Sequence, residues 1–136
     1  LVDIGYKYKS HTKDTRITEQ DLGNYTGMKY EDLYKLTKKI GVYEENWLMN
    51  ANHIPPNGES FIDLRNRVES FIQDKLKVYK NKDLVIFSHG GPIRAAISNA
   101  LGCAKHVIIP VQIDNTKLTR IDVDEKNKSR ILFINN

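Results

Sequence analysis

Apolar residues along this chain fall into short periodic runs separated by polar stretches marked with glycine and proline. Tyr30, Leu33, Leu36 and Ile40 are spaced as on one face of a helix, which predicts a helix over 30–40 ended by Gly41. A shorter helix is expected over 43–49. Phe61, Leu64, Val68, Phe71, Ile72 and Leu76 then recur every three or four positions and form one apolar stripe. Ser60, with Asp63 three places on, has the form of a capping box for that helix. The unbroken apolar run Leu84-Val85-Ile86-Phe87 predicts a strand buried on both faces of a parallel sheet. Gly90 and Gly91 turn the chain into a helix over 92–101. Pro92 suits its first turn, and Ile93, Ala96, Ile97, Ala100 and Leu101 are expected to face inward. Alternation over 117–123, followed by 130–134, predicts a C-terminal hairpin across the polar turn 124–129.

The remaining segments connect these elements. Residues 12–27 carry turn formers and two glycines and read as an irregular loop, and Pro55 and Pro56 keep 52–58 extended. Residues 1–5 read as the last turn of a helix capped by Gly5, with a short extended piece over 6–11. A domain rarely begins on the end of a helix, so an N-terminally truncated chain is expected. No repeat or Ser/Gly linker divides the sequence, and residues 1–136 are read as one domain. The helix–strand–helix order predicts an α/β fold, in which ligands bind beyond the carboxyl ends of the strands.

Composition narrows the class. With 136 residues, 40% hydrophobic and 28% charged, the chain fits a globular domain able to bury one core. No apolar run approaches the roughly 20 residues that span a bilayer, and no secretory signal layout opens the chain. The single cysteine, Cys103, precludes an internal disulfide, which makes the cytoplasm the default location. Net charge is +4. Lys75, Lys77, Lys80 and Lys82 alternate with apolar residues and read as the solvated face of a helix rather than a nucleic-acid patch. The expected partner is a small anionic molecule, not nucleic acid or membrane. Oligomeric state is left open.

Chemistry concentrates at Ser88-His89-Gly90-Gly91. An imidazole at the end of a buried strand, before two glycines and a helix start, faces a ready anion site. Helix amides point outward there, and glycines such as Gly90 let an anion approach the backbone. The imidazole adds a donor to a phosphoryl oxygen, or an acid or base near neutral pH. The plainer alternative is a histidine bonded to a local carbonyl. Glu19 lies in the irregular loop and is a candidate general acid, although a lone surface carboxylate is otherwise ordinary. His11, His53, His106 and Cys103 lack metal-ligand spacing, so no metal or cofactor is expected. Cys103, Trp47 and Tyr25 read as packing residues, Glu59 as a favourable charge at a helix N-terminus, and Asn115-Thr116 as turn chemistry.

Leu84-Val85-Ile86-Phe87-Ser88-His89-Gly90-Gly91-Pro92-Ile93-Arg94 resembles the second histidine motif of the histidine phosphatase superfamily. Glu19-Gln20-Asp21-Leu22-Gly23-Asn24-Tyr25-Thr26-Gly27 is similar to that family's acid loop. Pro56-Asn57-Gly58-Glu59-Ser60 followed by Arg67-Val68, and Asn115-Thr116 before a strand, match further family positions in the family's order. The resemblance implies a three-layer α/β/α phosphoglycerate-mutase-like fold and hydrolysis of a small-molecule phosphate monoester through a phosphohistidine. It makes His89 the histidine that holds the phosphoryl group, Glu19 the proton donor, and Gly90 and Asn115 phosphate- or substrate-binding positions. Trp47 with His53-Ile54-Pro55-Pro56-Asn57-Gly58-Glu59 is similar to the α-ribazole phosphatase branch.

The family's Arg-His-Gly motif, which carries the attacking histidine, and its second arginine motif do not occur in these 136 residues. The chain alone is therefore expected to have no turnover. Without a central strand it is also expected to expose apolar sheet edge. Two other classes compete. An α/β-hydrolase-type esterase would use Ser88, but the Gly-x-Ser-x-Gly pattern is absent. A non-catalytic phosphate-binding or interaction module would need neither.

Overall fold

A computed structural model describes residues 12–45 and 47–136. The expectations for 1–5 and 6–11 lie outside the described residues. Among the described residues the architecture consists of three α-helices and one hairpin: α1 Tyr30–Lys39, α2 Phe61–Val78, α3 Gly90–Ala100, β1 Arg120–Val123 and β2 Ser129–Phe133. Short 3-10 turns at Thr15–Ile17 and Gly23–Tyr25 shape the segment expected to be irregular. No described helix is long and apolar enough to cross a membrane.

Helix α2 is the organising element. Ser60 Oγ accepts from the Asp63 amide at 3.1 Å and the Asp63 carboxylate accepts from the Ser60 amide at 3.0 Å, so the capping box forms as the sequence predicts. Its stripe buries Phe61, Leu64, Val68 and Phe71. Phe61, Leu64 and Val68 join Ala51, Ala95 and Ile108 in the main core, and each fully buried large side chain is worth about 2 kcal/mol. A second cluster, Tyr25, Leu33 and Met49, seats α1 and the first loop. Gly41, at φ +73°, takes the left-handed turn that ends the first helix.

Helix α3 starts at Gly90, two residues before the expected Pro92, and packs on α2. Its buried face is Gly91, Ala95 and Ser98 with Pro92 and Ile97, while Leu101 is 59% exposed. The expected inward face is thus rotated. Nearly every position of α3 is apolar or small, so periodicity alone does not choose a face. The small residues at i, i+4 and i+7 allow the closest approach to α2 and decide it.

Two expectations fail locally. Residues 43–45 and 47–49 lie in turns, bends and irregular backbone rather than a helix, and Leu48 sits at φ +68°, which a helix cannot contain. The run 84–87 forms no strand among the described residues, and its four residues are between 40% and 76% exposed. A strand buried on both faces needs neighbours along both edges. The described sheet has only β1 and β2, paired antiparallel with Ile121 opposite Ile131. That hairpin is the one expected.

Two arginines fasten the layers. Arg65, 1% exposed, donates to Asn99 Oδ1 at 2.9 and 3.1 Å and to the carbonyls of Cys103 at 3.0 Å and Ala104 at 2.6 Å. Burial pulls its pKa below the usual guanidinium range, and the acceptors around it offset that desolvation. Arg16 joins the first loop to α2 through Asp14 at 2.8 Å and Asp74 at 2.7 Å.

Replacing Arg65 with Met leaves Asn99 and these carbonyls without donors. It should lower the urea-unfolding free energy by roughly 2–4 kcal/mol, and a loss under about 0.5 kcal/mol would contradict this assignment. The Arg16 hydrogen bond holds the Asp14 carboxyl at about 2, against an ordinary 3.8. A depressed folded-state pKa contributes stability that is complete above the ordinary value and fades as pH falls toward the folded one. Stability should therefore drop between about pH 4 and pH 2 in the wild type. For this partly solvated pair the share is at most about 1 kcal/mol, and Arg16→Met should remove it.

Candidate active site

The chemistry expected at the end of residues 84–87 is assembled from three distant segments. Glu19, Ser88, His89, Gly90, Ile93, Ile113, Asp114, Asn115 and Lys117 line one open cavity of about 200 Å³. His89, Glu19, Gly90 and Asn115, the four residues singled out from the sequence, all face it.

His89 occupies the N-cap position of α3 with an extended backbone, φ −119° and ψ 173°. It is exposed, and its ring makes no hydrogen bond among the described residues. The local-carbonyl alternative is thus not what the structure contains. The ring is available to a ligand.

The anion that meets the start of α3 is Glu19. Its carboxylate accepts from the Gly91 amide at 3.1 and 3.3 Å and from the Gln20 amide at 2.8 Å. An N-terminal helix amide carries partial positive charge and lacks an intrahelical acceptor, so a carboxylate is favoured there. The site is therefore narrower than the sequence suggests, because one helix donor is already matched within the chain. Gly91 is the position where any side chain would displace Glu19. A Cβ there would fall 2.1 Å from Glu19 Oε1 and 3.2 Å from Leu64 Cδ2, whereas one at Gly90 would meet only Ile113 Cβ at 3.9 Å.

What aims Glu19 is mostly invisible in the sequence. Arg67 donates to the carbonyls of Arg16 at 2.8 Å, Thr18 at 2.9 Å and Glu19 at 2.9 Å, and to Glu59 Oε2 at 2.9 Å. Glu59, expected to serve only the helix that follows it, instead also accepts from the Asp21 amide at 3.0 Å. Gln20 is buried and bridges the Glu59 carbonyl at 3.0 Å and the Trp47 indole N–H at 2.9 Å. Gly23 and Gly58 let the two loops touch, since a Cβ on Gly23 would lie 2.1 Å from the Pro56 carbonyl oxygen. The only sequence signal of this lock is the Gly-Glu-Ser stretch with an arginine two helical turns on.

Beyond Glu19, Arg94 lies 4.4 Å from the Trp47 ring centre and gives Nε and Nη2 to the Val111 carbonyl at 3.0 and 2.6 Å. Burial lowers its pKa, while the charge of Glu19 raises it. The Ser88 hydroxyl donates to the Ile17 carbonyl at 2.7 Å, and no histidine accepts it among the described residues. An activated serine needs a base in that place. Cys103 is a half-buried free thiol, Tyr25 is buried beside His53, and no cluster among the described residues has the ligands for a metal ion.

Gly91→Ala should displace the Glu19 carboxylate with a stability cost of only about 1 kcal/mol, because the clashing atom ends a flexible side chain. A crystal structure of the variant checks this. Retention of the carboxylate–amide hydrogen bond would contradict the steric assignment.

Comparison with known proteins places this geometry. The chain is 30% identical over 124 residues to the putative phosphoserine phosphatase 2 of Hydrogenobacter thermophilus, covering 90% of this chain and 58% of that protein. It is 25% identical over 140 residues to a Schizosaccharomyces pombe phosphoglycerate mutase, covering 99% of this chain and 65% of that one. The chain spans 33% to 65% of the length of such relatives. Its fold matches the α-ribazole phosphatase of Shigella flexneri at a TM-score of 0.71 and 23% identity, covering 90% of this chain and 59% of that one. It also matches a mycobacterial glucosyl-3-phosphoglycerate phosphatase solved with inorganic phosphate, at 0.72 and 20%, covering 90% and 63%. The expected phosphoglycerate-mutase-like α/β fold is the fold found. The model of the histidine phosphatase superfamily, branch 1, matches residues 5–136, and the chain belongs to that family.

Proposed function

We propose that this chain is the C-terminal part of a phosphatase that hydrolyses a small-molecule phosphate monoester through a phosphohistidine. Its carrying observation is that Glu19 and His89, 70 positions apart in sequence, face one cavity, with the Glu19 carboxylate on the amide of Gly91, two residues after His89. In this reading the attacking histidine comes from a segment outside these 136 residues. Its nitrogen bonds to phosphorus as the ester P–O bond breaks. His89 donates to a phosphoryl oxygen and offsets the charge that accumulates there. Glu19 gives its proton to the departing alkoxide, then takes one from the water that cleaves the phosphohistidine and releases phosphate. Gly90 leaves the backbone open to the phosphoryl group, and Asn115 adds an amide on the substrate side. A relative named a putative phosphoserine phosphatase and a fold neighbour named an α-ribazole phosphatase supply two candidate substrates.

The 136-residue chain should not hydrolyse p-nitrophenyl phosphate, whereas the same chain extended upstream in its gene through an in-frame Arg-His-Gly should. In the extended protein His89→Ala should lower kcat by roughly 100- to 1,000-fold and Glu19→Gln by roughly 100-fold. Turnover by the short chain alone, or labelling of Ser88 by a fluorophosphonate, would overturn the proposal.

A further inference from the structure

We infer that Arg94, which stands just outside the cavity lining, is a positioning residue for Glu19 and favours its carboxylate form through its positive charge. Its part in turnover rests on the phosphatase reading above. Arg94 follows Gly91 by three residues, so the two lie on one face of α3, where side chains lean toward the helix start. The Glu19 carboxylate sits on the Gly91 amide at that start. Cation and acid are thus gathered at one helical turn.

The contacts of Arg94 leave its charge without a counter-ion. Nε and Nη2 both donate to one acceptor, the Val111 carbonyl, at 3.0 and 2.6 Å, and the guanidinium carbon stands 4.4 Å from the Trp47 ring centre. A carbonyl and an indole face are both neutral. No carboxylate comes within ion-pair distance of Arg94 among the described residues. Burial pulls its pKa down, and the charge of Glu19 opposes that. Coupling between two charges is mutual, so the guanidinium favours the charged form of the acid. Arg65 provides the contrast. Its N–H groups are spent on Asn99 and on carbonyls of 103–107, and none reaches the acid loop.

A hydrogen-bonded path leads from Arg94 to the same carboxylate. Trp47, against the guanidinium, donates its indole N–H to the buried Gln20 Oε1 at 2.9 Å, and the Gln20 amide donates to Glu19 Oε1 at 2.8 Å. Val111 precedes Ile113, Asp114 and Asn115 of the lining, so one side chain also ties that wall to α3. A planar fork that donates and stacks at once suits this place. The other titratable or charged groups facing Glu19 are His89 of α3 and Asp114 and Lys117 in the same lining, while Arg67 of α2 meets the Glu19 carbonyl. All of them remain in the Arg94 variants.

The test follows the carbon-13 signal of the Glu19 carboxyl against pH in the wild type, Arg94→Gln, Arg94→Met and Arg94→Lys. Losing a nearby positive charge makes a carboxylate harder to form. The transition should lie roughly 0.5 or more higher in pH in the two neutral variants, and within about 0.2 of the wild type in Arg94→Lys. Arg65→Met, which loosens the same helix pair, should leave it unmoved. In the protein extended through Arg-His-Gly, the basic limb of kcat/KM for p-nitrophenyl phosphate should rise with it in the neutral variants, because above that limb the proton donor is lost. A transition that stays in place in a folded neutral variant, or that moves equally in Arg94→Lys, overturns this inference alone. A transition that moves while the rate profile does not overturns the proton-donor role of Glu19, and the phosphatase reading with it, and leaves the Arg94 coupling standing.

Discussion

Arg67 donates five hydrogen bonds from one guanidinium, three to carbonyls of the Glu19 loop and two to Glu59. Side chains of both partners are only 20% exposed, so the ion pair is held in a poorly hydrated seam. That seam links α2, the Gly-Glu-Ser loop and the acid loop into one body. A planar fork of donors does this where a lysine would not, because the carbonyls of Arg16, Thr18 and Glu19 lie where its fixed N–H directions point. Everything at the candidate site follows from that constraint. With the loop backbone held, the Glu19 side chain reaches the first turn of α3, and His89 at the N-cap comes to share its cavity.

The lock also explains the division of labour among the glycines. Gly91 removes the Cβ that would occupy the carboxylate's place, and Gly23 and Gly58 remove those that would separate the two loops. None is a general concession to flexibility; each permits a specific close approach. The contrast with residues 84–87 is physical. They lead into His89 with four exposed apolar side chains and no ladder partner among the described residues. The site is packed on the side of α2 and α3, and on the other no sheet forms among the described residues.

The elements that were legible in the sequence are those whose stability is local. The α2 stripe, its Ser60–Asp63 box, the Gly41 stop and the C-terminal hairpin follow from periodicity and capping chemistry, which neighbouring residues decide. The four site candidates come from motifs that stand in a known order, and they line one cavity. Less legible were features decided at long range. The buried face of α3 depends on how closely α2 approaches, and pairing of 84–87 depends on strands that periodicity cannot supply. The Arg67 fork bridges residues about 50 positions apart, and Glu19 on the Gly91 amide bridges 72. Arg65 is likewise a charged residue on an apolar stripe, and only its carbonyl cage accounts for its burial.

The central claim is that the Arg67 fork holds Glu19 against α3, and amide hydrogen exchange in Arg67→Met tests it most directly. The Gln20 and Gly91 amides should exchange at least about tenfold faster than in the wild type, a local opening worth roughly 1.4 kcal/mol, while the interior of α2 and the hairpin keep their protection. Unchanged protection at Gln20 and Gly91 in a folded Arg67→Met protein would contradict the account.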